Sequence, residues 1–118
     1  MIVIDEAQTR VEEAPPHGAI GHSTAWRISD AVPAPRSMEF RKRMLHQGAA
    51  IGLHRIAHDE VYYVLDGEGE VASDGKTALL RAGMTAWLYA GSEVGIRQLG
   101  DRPLTLIVSY PLTPSKRE

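Results

Sequence analysis

From Phe40 onward the chain is cut into short β-prone runs, each closed by its own turn signal. Val61–Leu65 is aromatic and β-branched and runs into Asp66-Gly67-Glu68-Gly69. Glu70–Ser73 follows, and Asp74-Gly75 then reads as a two-residue hairpin, because a type I′ turn needs φ > 0 at both central positions. Lys76–Leu80 returns to Arg81-Ala82-Gly83, and Met84–Tyr89 ends at Ala90-Gly91. Val94–Leu99 ends at Gly100-Asp101-Arg102-Pro103, and Leu104–Tyr110 stops at Pro111. Short strands punctuated this often predict an all-β barrel or sandwich.

The first half is less regular. Phe40–His46 is predicted as a strand ahead of Gln47-Gly48, and Ser23–Ile28 as another. Pro15-Pro16, Pro33 and Pro35 hold their neighbourhoods extended, since proline blocks helix and biases the residue before it to β conformations. The sequence contains no amphipathic helix of useful length and no internal repeat. Residues 1–35 are expected to form an N-terminal arm with edge strands, 36–112 the barrel and 113–118 a flexible tail.

Two strands are apolar on both faces. In Glu60–Leu65, Tyr62 and Val64 share one face while Val61, Tyr63 and Leu65 share the other; in Leu104–Tyr110, Ile107 opposes Leu104, Leu106, Val108 and Tyr110. A lone barrel in water shows a polar outer face, so either the N-terminal arm or a second subunit is expected to cover this one. A homodimer is the expectation, closed two-fold dimers being the commonest oligomers.

A net charge of −2 gives no global field for nucleic acid or acidic membranes, and no apolar run is long enough for a membrane helix. The first residues, Met1–Arg10, do not read as a signal peptide, so a cytoplasmic protein is expected. With no cysteine, disulfides, thiolate metal sites and cysteine nucleophiles are all excluded. Neither a GxxxxGK phosphate loop nor a GxSxG nucleophile elbow occurs. His17, His22 and His46 are scattered, with no partner spacing.

His54, His58 and Glu60 do cluster, and if the segment stays extended, residues 54, 56, 58 and 60 point to one side. Gly48, His54, Ile56, Glu60 and Gly67 then fall at the intervals of one motif, and Gly83, Tyr89, Gly91, Val94 and Gln98 at those of a second. In both frame and strand pattern the sequence resembles the cupin superfamily, most closely in Asp59–Val71 and Leu99–Val108. The resemblance implies a cupin-type double-stranded β-helix, or jelly-roll barrel.

In metal-binding members, three histidines and a glutamate of these motifs converge inside the barrel. Here His54 and Glu60 stand at two of those positions, and Ile56 and Val94 replace the other two ligands. No tightly bound cofactor is therefore expected. If a divalent ion (Zn, Fe, Mn or Ni) is held, His54, His58 and Glu60 are its expected ligands, a set close to the two-His-one-carboxylate triad. Without a metal, His54 and Glu60 are either an acid–base couple or a hydrogen-bonded structural pair.

Tyr62, Trp87, Tyr89, Gln98 and Arg43 are candidates for lining a ligand pocket, Arg43 and Arg41 doing so only if that strand turns them inward. Exposed charge on the strand is the alternative for both arginines, and core packing for Trp87. The expected role is binding of a small polar or anionic molecule. The alternative is a metal-dependent enzyme of the dioxygenase or sugar isomerase/epimerase class using His54, His58 and Glu60, or a metal-free isomerase using the same residues as acid and base.

Overall fold

The computed structural model describes residues 1–18 and 20–112. Ten strands are present: β1 (Arg10–Glu13), β2 (Ser23–Trp26), β3 (Met38–Leu45), β4 (Ala50–Arg55), β5 (Glu60–Asp66), β6 (Glu68–Ser73), β7 (Lys76–Arg81), β8 (Thr85–Leu88), β9 (Glu93–Leu99) and β10 (Leu104–Pro111). Helical structure among the described residues is limited to two 3₁₀ turns, Glu6–Gln8 and Ile28–Ala31. No helix among the described residues is long and apolar enough to cross a membrane.

The strands form two antiparallel sheets, β1-β2-β3-β10-β5-β8 and β4-β9-β6-β7. Their facing sides close over an apolar core in which Leu45, Val64, Val94, Leu104 and Leu106 are fully buried. The all-β jelly-roll architecture expected from the turn signals is therefore present. Asp74 and Gly75 both have positive φ, as the type I′ reading of the β6–β7 hairpin requires.

Two strands escaped the sequence pattern. Arg10–Glu13 is too short and too charged to carry a hydrophobic signal, and Ala50–Arg55 is interrupted by Gly52. Gly67 is not a hairpin turn: β5 belongs to one sheet and β6 to the other, so the chain crosses between sheets there. The corner demands glycine, because φ is +82° and a Cβ would stand 2.3 Å from the Pro103 carbonyl oxygen.

The N-terminal segment reaches part of the outer side of β3, where Lys42 donates to Glu6 and Ile4 lies with Ile28 beside Phe40. β1 and β2 lengthen the six-stranded sheet beside β3. Its outer face leaves Phe40, Tyr63, Leu65 and Trp87 exposed. The tail expected at 113–118 lies outside the described residues.

Gly67→Ala is expected to destabilise the protein by about 2–4 kcal/mol, combining a left-handed backbone with a backbone clash. Denaturant unfolding of the two proteins measures this directly.

Candidate functional site

The register of β10 decides which side chains face inward. Tyr110 lies opposite Glu39, Val108 opposite Arg41 and Tyr62, Leu106 opposite Arg43 and Val64, and Leu104 opposite Leu45. Along these rows the interior passes from apolar at Leu45 and Leu104 to polar at Glu39 and Tyr110. A cavity of about 390 Å³ opens at the polar end. Arg27, Arg41, Arg43 and Arg55 line it against two carboxylates, Glu13 and Glu60, with His17, His54 and His58 among the remaining walls.

β3 turns Arg43 inward, where only 6% of the residue is exposed. Its guanidinium donates to Ser23 Oγ at 2.8 Å and to Glu13 Oε2 at 2.9 Å. Arg27 donates to the other Glu13 oxygen. Burial opposes the charge on Glu13, but these hydrogen bonds win and hold its carboxyl below the usual range. Arg41 donates to Asp30 Oδ1 at 3.0 Å. The buried Nε atoms of Arg27 and Arg41 find no acceptor among the described residues.

Glu60 has a different environment. It is 7% exposed, and burial pushes its carboxyl up to about 7 with no hydrogen bond or cation offsetting the cost. The hydroxyls of Tyr62 and Tyr110 are themselves pushed up, chiefly by burial. The His54–Glu60 hydrogen bond, one of the two metal-free readings, is not formed among the described residues; His54 Nδ1–H donates to the Gly52 carbonyl at 2.8 Å.

His54 reaches the cavity through a β-bulge. Ile51 pairs with Ile96, and regular alternation would then set residue 53 opposite Val94, yet His54 occupies that place. The extra residue leaves Leu53 60% exposed and brings His54 to the inner side. β4 ends at Arg55, and the chain bends before β5 begins, so residues 54–60 are not one extended strand. His54, Ile56, His58 and Glu60 nevertheless all line the cavity. His17 stacks on His54 with ring centroids 3.5 Å apart, and His58 stacks on Tyr110 at 4.4 Å.

This two-sheet barrel, with its cavity at one end, matches known proteins as well. The family model of the cupin domain matches residues 42–110, more than half of the chain. The chain belongs to the cupin family. Among solved structures it is similar to a protein of Thermotoga maritima described as a predicted oxalate decarboxylase, with TM-score 0.82 and 23% identity, covering 94% of this chain and 99% of that one. An RmlC-like cupin from Shewanella frigidimarina gives TM-score 0.67 and 19% identity over 91% and 96% of the two chains. A cupin 2 conserved barrel domain protein from Rhodopseudomonas palustris gives 0.73 and 11% over 93% and 74%. No curated protein matches the sequence.

The barrel of this cupin does not fit the family's metal. Ile56 and Val94 are 4% and 0% exposed and put methyl groups where two ligands would stand, Val94 directly across from His54. Among the described residues, the group with donor atoms within 4.8 Å of one another that could hold an ion is Glu12, His22 and His46, outside the cavity. His54, His58 and Glu60 share a cavity without forming such a group.

Arg43 and Tyr62 line the cavity, as does Arg41. The structure places three other candidates elsewhere. Trp87 and Tyr89 are 60% and 66% exposed on the outside, Trp87 Nε1–H donating to Asp59. Gln98 does point inward but serves the closed end: it accepts from Gly48 N–H, and its amide nitrogen lies 2.8–2.9 Å from the carbonyls of Leu99, Gly100 and Arg102. Glu13, His17 and Arg27 had no sequence signal, because they reach the cavity only through the pairing of β1 and β2 with β3.

The raised Glu60 carboxyl gives a signed prediction. Its folded-state pKa lies above the unfolded value, so its stabilising proton is fully present below the unfolded pKa and is lost as pH rises through about 7. Glu60→Gln is therefore expected to gain stability relative to wild type above pH 7, by up to about 2 kcal/mol after allowing for solvent at the cavity mouth, and to show no such gain near pH 4. Urea unfolding at both pH values checks the sign.

Proposed function

We propose that this cupin binds a small carboxylate-bearing molecule in its barrel cavity. The observation that carries this reading is the set of four arginines, Arg27, Arg41, Arg43 and Arg55, that line the cavity against two carboxylates, Glu13 and Glu60. A guanidinium keeps its charge, and a carboxylate oxygen is the acceptor that suits it. The excess of arginine over carboxylate in the walls favours the same ligand charge. At about 390 Å³ the cavity lies within the roughly 300–1,000 Å³ span of small-molecule sites. The likeness to the Thermotoga maritima protein described as a predicted oxalate decarboxylase supports the same substrate class.

One observation favours catalysis in the same cavity. A carboxyl pushed up to about 7 by burial, in the cavity that the arginines also line, is matched to proton transfer at neutral pH. In that reading Glu60 moves the proton, His54 and His58 complete the walls, and the arginines hold the substrate anion. The chemistry is a metal-free isomerisation or related proton transfer.

Calorimetric titration with a panel of small di- and tricarboxylates tests the binding. At least one is expected to bind saturably, and Arg41→Gln is expected to weaken it about tenfold or more, the worth of a charged hydrogen bond. Absence of saturable binding by every member, or indifference to Arg41→Gln, would overturn the reading.

The exposed outer face suggests the quaternary state. Met38, Phe40, Tyr63, Leu65 and Trp87 are 39–60% exposed on strands β3, β5 and β8. A second copy of the chain is the proposed cover. Sedimentation at micromolar concentration is expected to give twice the 12.9 kDa chain mass, and Tyr63→Glu to shift the protein to monomer. A wild-type species of 12.9 kDa alone would refute it.

A further inference from the structure

Outside the cavity, three strands that are neighbours in the sheet place one donor each on the same patch of surface. Glu12 projects from β1, His22 immediately precedes β2, and His46 immediately follows β3. Their donor atoms all lie within 4.8 Å of one another. We propose that Glu12, His22 and His46 form a surface site for a zinc-class divalent transition ion, which fastens the N-terminal strands to the barrel. This site lies outside the carboxylate cavity and does not rest on the binding proposed there.

Two imidazole nitrogens and one carboxylate oxygen suit zinc, cobalt or nickel and do not suit calcium or magnesium, which take oxygen ligands. Zinc bonds of 2.0–2.2 Å at tetrahedral angles separate the donors by about 3.3 Å. His22 Nε2 is already 2.9 Å from Glu12 Oε1, and the two rings are 4.8 Å apart between centroids. Small side-chain rotations therefore complete the set. Both Glu12 and His22 are half exposed and free to make them.

The present hydrogen bonds show how the donors are kept together. Thr24, fully buried beneath them, donates its hydroxyl proton to Glu12 Oε1 at 2.9 Å. With that proton committed, the 2.9 Å contact between Thr24 Oγ1 and His46 Nε2 assigns the donor to the ring. His22 Nε2–H likewise donates to the carboxylate. An ion binding here takes the Nε2 lone pairs, with each ring proton moving to Nδ1, and it competes with the second proton of an imidazolium, so binding weakens as pH falls.

The consequence reaches the cavity through one peptide bond. Glu12 faces outward and its neighbour Glu13 inward, where it accepts from Arg43 and Arg27. An ion that fixes Glu12 to His22 and His46 thereby fixes β1, the wall carrying Glu13.

The test is calorimetric titration of the full-length, tag-free, chelator-stripped chain with zinc chloride, paired with visible absorption after adding cobalt chloride. The expected result is one zinc per chain and a cobalt spectrum of tetrahedral intensity. His22→Ala and His46→Ala should each weaken zinc binding by about tenfold or more, while His54→Ala and Glu60→Gln leave it unchanged. His22 is exposed, and an unchanged unfolding curve for the metal-free His22→Ala protein shows that the variant folds. No saturable zinc binding would overturn the proposal. So would binding that survives His22→Ala, or binding that is lost in His54→Ala or Glu60→Gln.

Discussion

The antiparallel pairing of β10 with β3 on one side and β5 on the other is the constraint from which the interior follows. Because side chains alternate with a period of two, slipping β10 by one residue would expose Leu104 and Leu106 and bury Thr105, Ile107 and Ser109 in their place. The fully buried leucines thus fix the register at one end of the strand. That same register delivers Val108 and Tyr110, with Arg41, Arg43, Glu60 and Tyr62 of the adjoining strands, to the other end. Core and cavity are two ends of one set of rows, and the apolar end supplies the free energy that holds charged groups in place at the polar end.

This division explains why the cavity tolerates buried charge. Arg43 is nearly inaccessible, but Glu13 and Ser23 satisfy its guanidinium within hydrogen-bond distance, as a buried cation requires. Glu60 sits equally deep without a partner, and it answers the same desolvation by becoming easier to protonate. One environment therefore produces a permanently charged pair and a carboxyl poised near neutrality. The difference between them is whether a counter-charge comes within reach.

The sequence made the frame legible because its signals are local. Glycines at turns and alternation along Tyr62–Val64 or Leu104–Tyr110 are readable within a few residues, and the expected jelly roll is what forms. The site was legible only in part. Arg43, Tyr62, His54, His58 and Glu60 all reach the cavity, but His54 does so through a bulge at Gly52–Leu53 that periodicity does not announce. Trp87 and Tyr89 looked like pocket aromatics because they neighbour the second motif, yet the alternation of β8 turns Trp87 outward. His17, His22 and His46 looked scattered because their partners lie far along the chain: Glu12 meets His46 only through the pairing of β1 with β2 and β2 with β3. Nothing in a window of a dozen residues encodes that meeting.

Ile56 and Val94 give the departure from the family's metal cage a physical form. Both are packed into the core cluster that also contains Ile51, Tyr62 and Ile96, so they are structural elements of the floor and not vacancies in a ligand set. A metal cage at this level would need polar atoms in the middle of that cluster, each requiring a partner when the ion is absent. Methyl groups remove this requirement and let the floor pack. The polar chemistry is displaced upward, to the arginine-lined mouth. It is also displaced outward, to the N-terminal strands, where Glu12 and Glu13 point to opposite faces of a single four-residue strand. Glu13 serves the cavity through Arg43 and Arg27 while Glu12 bonds Thr24 on the outer surface, so a strand outside the residues that match the family model contributes charged groups to both faces.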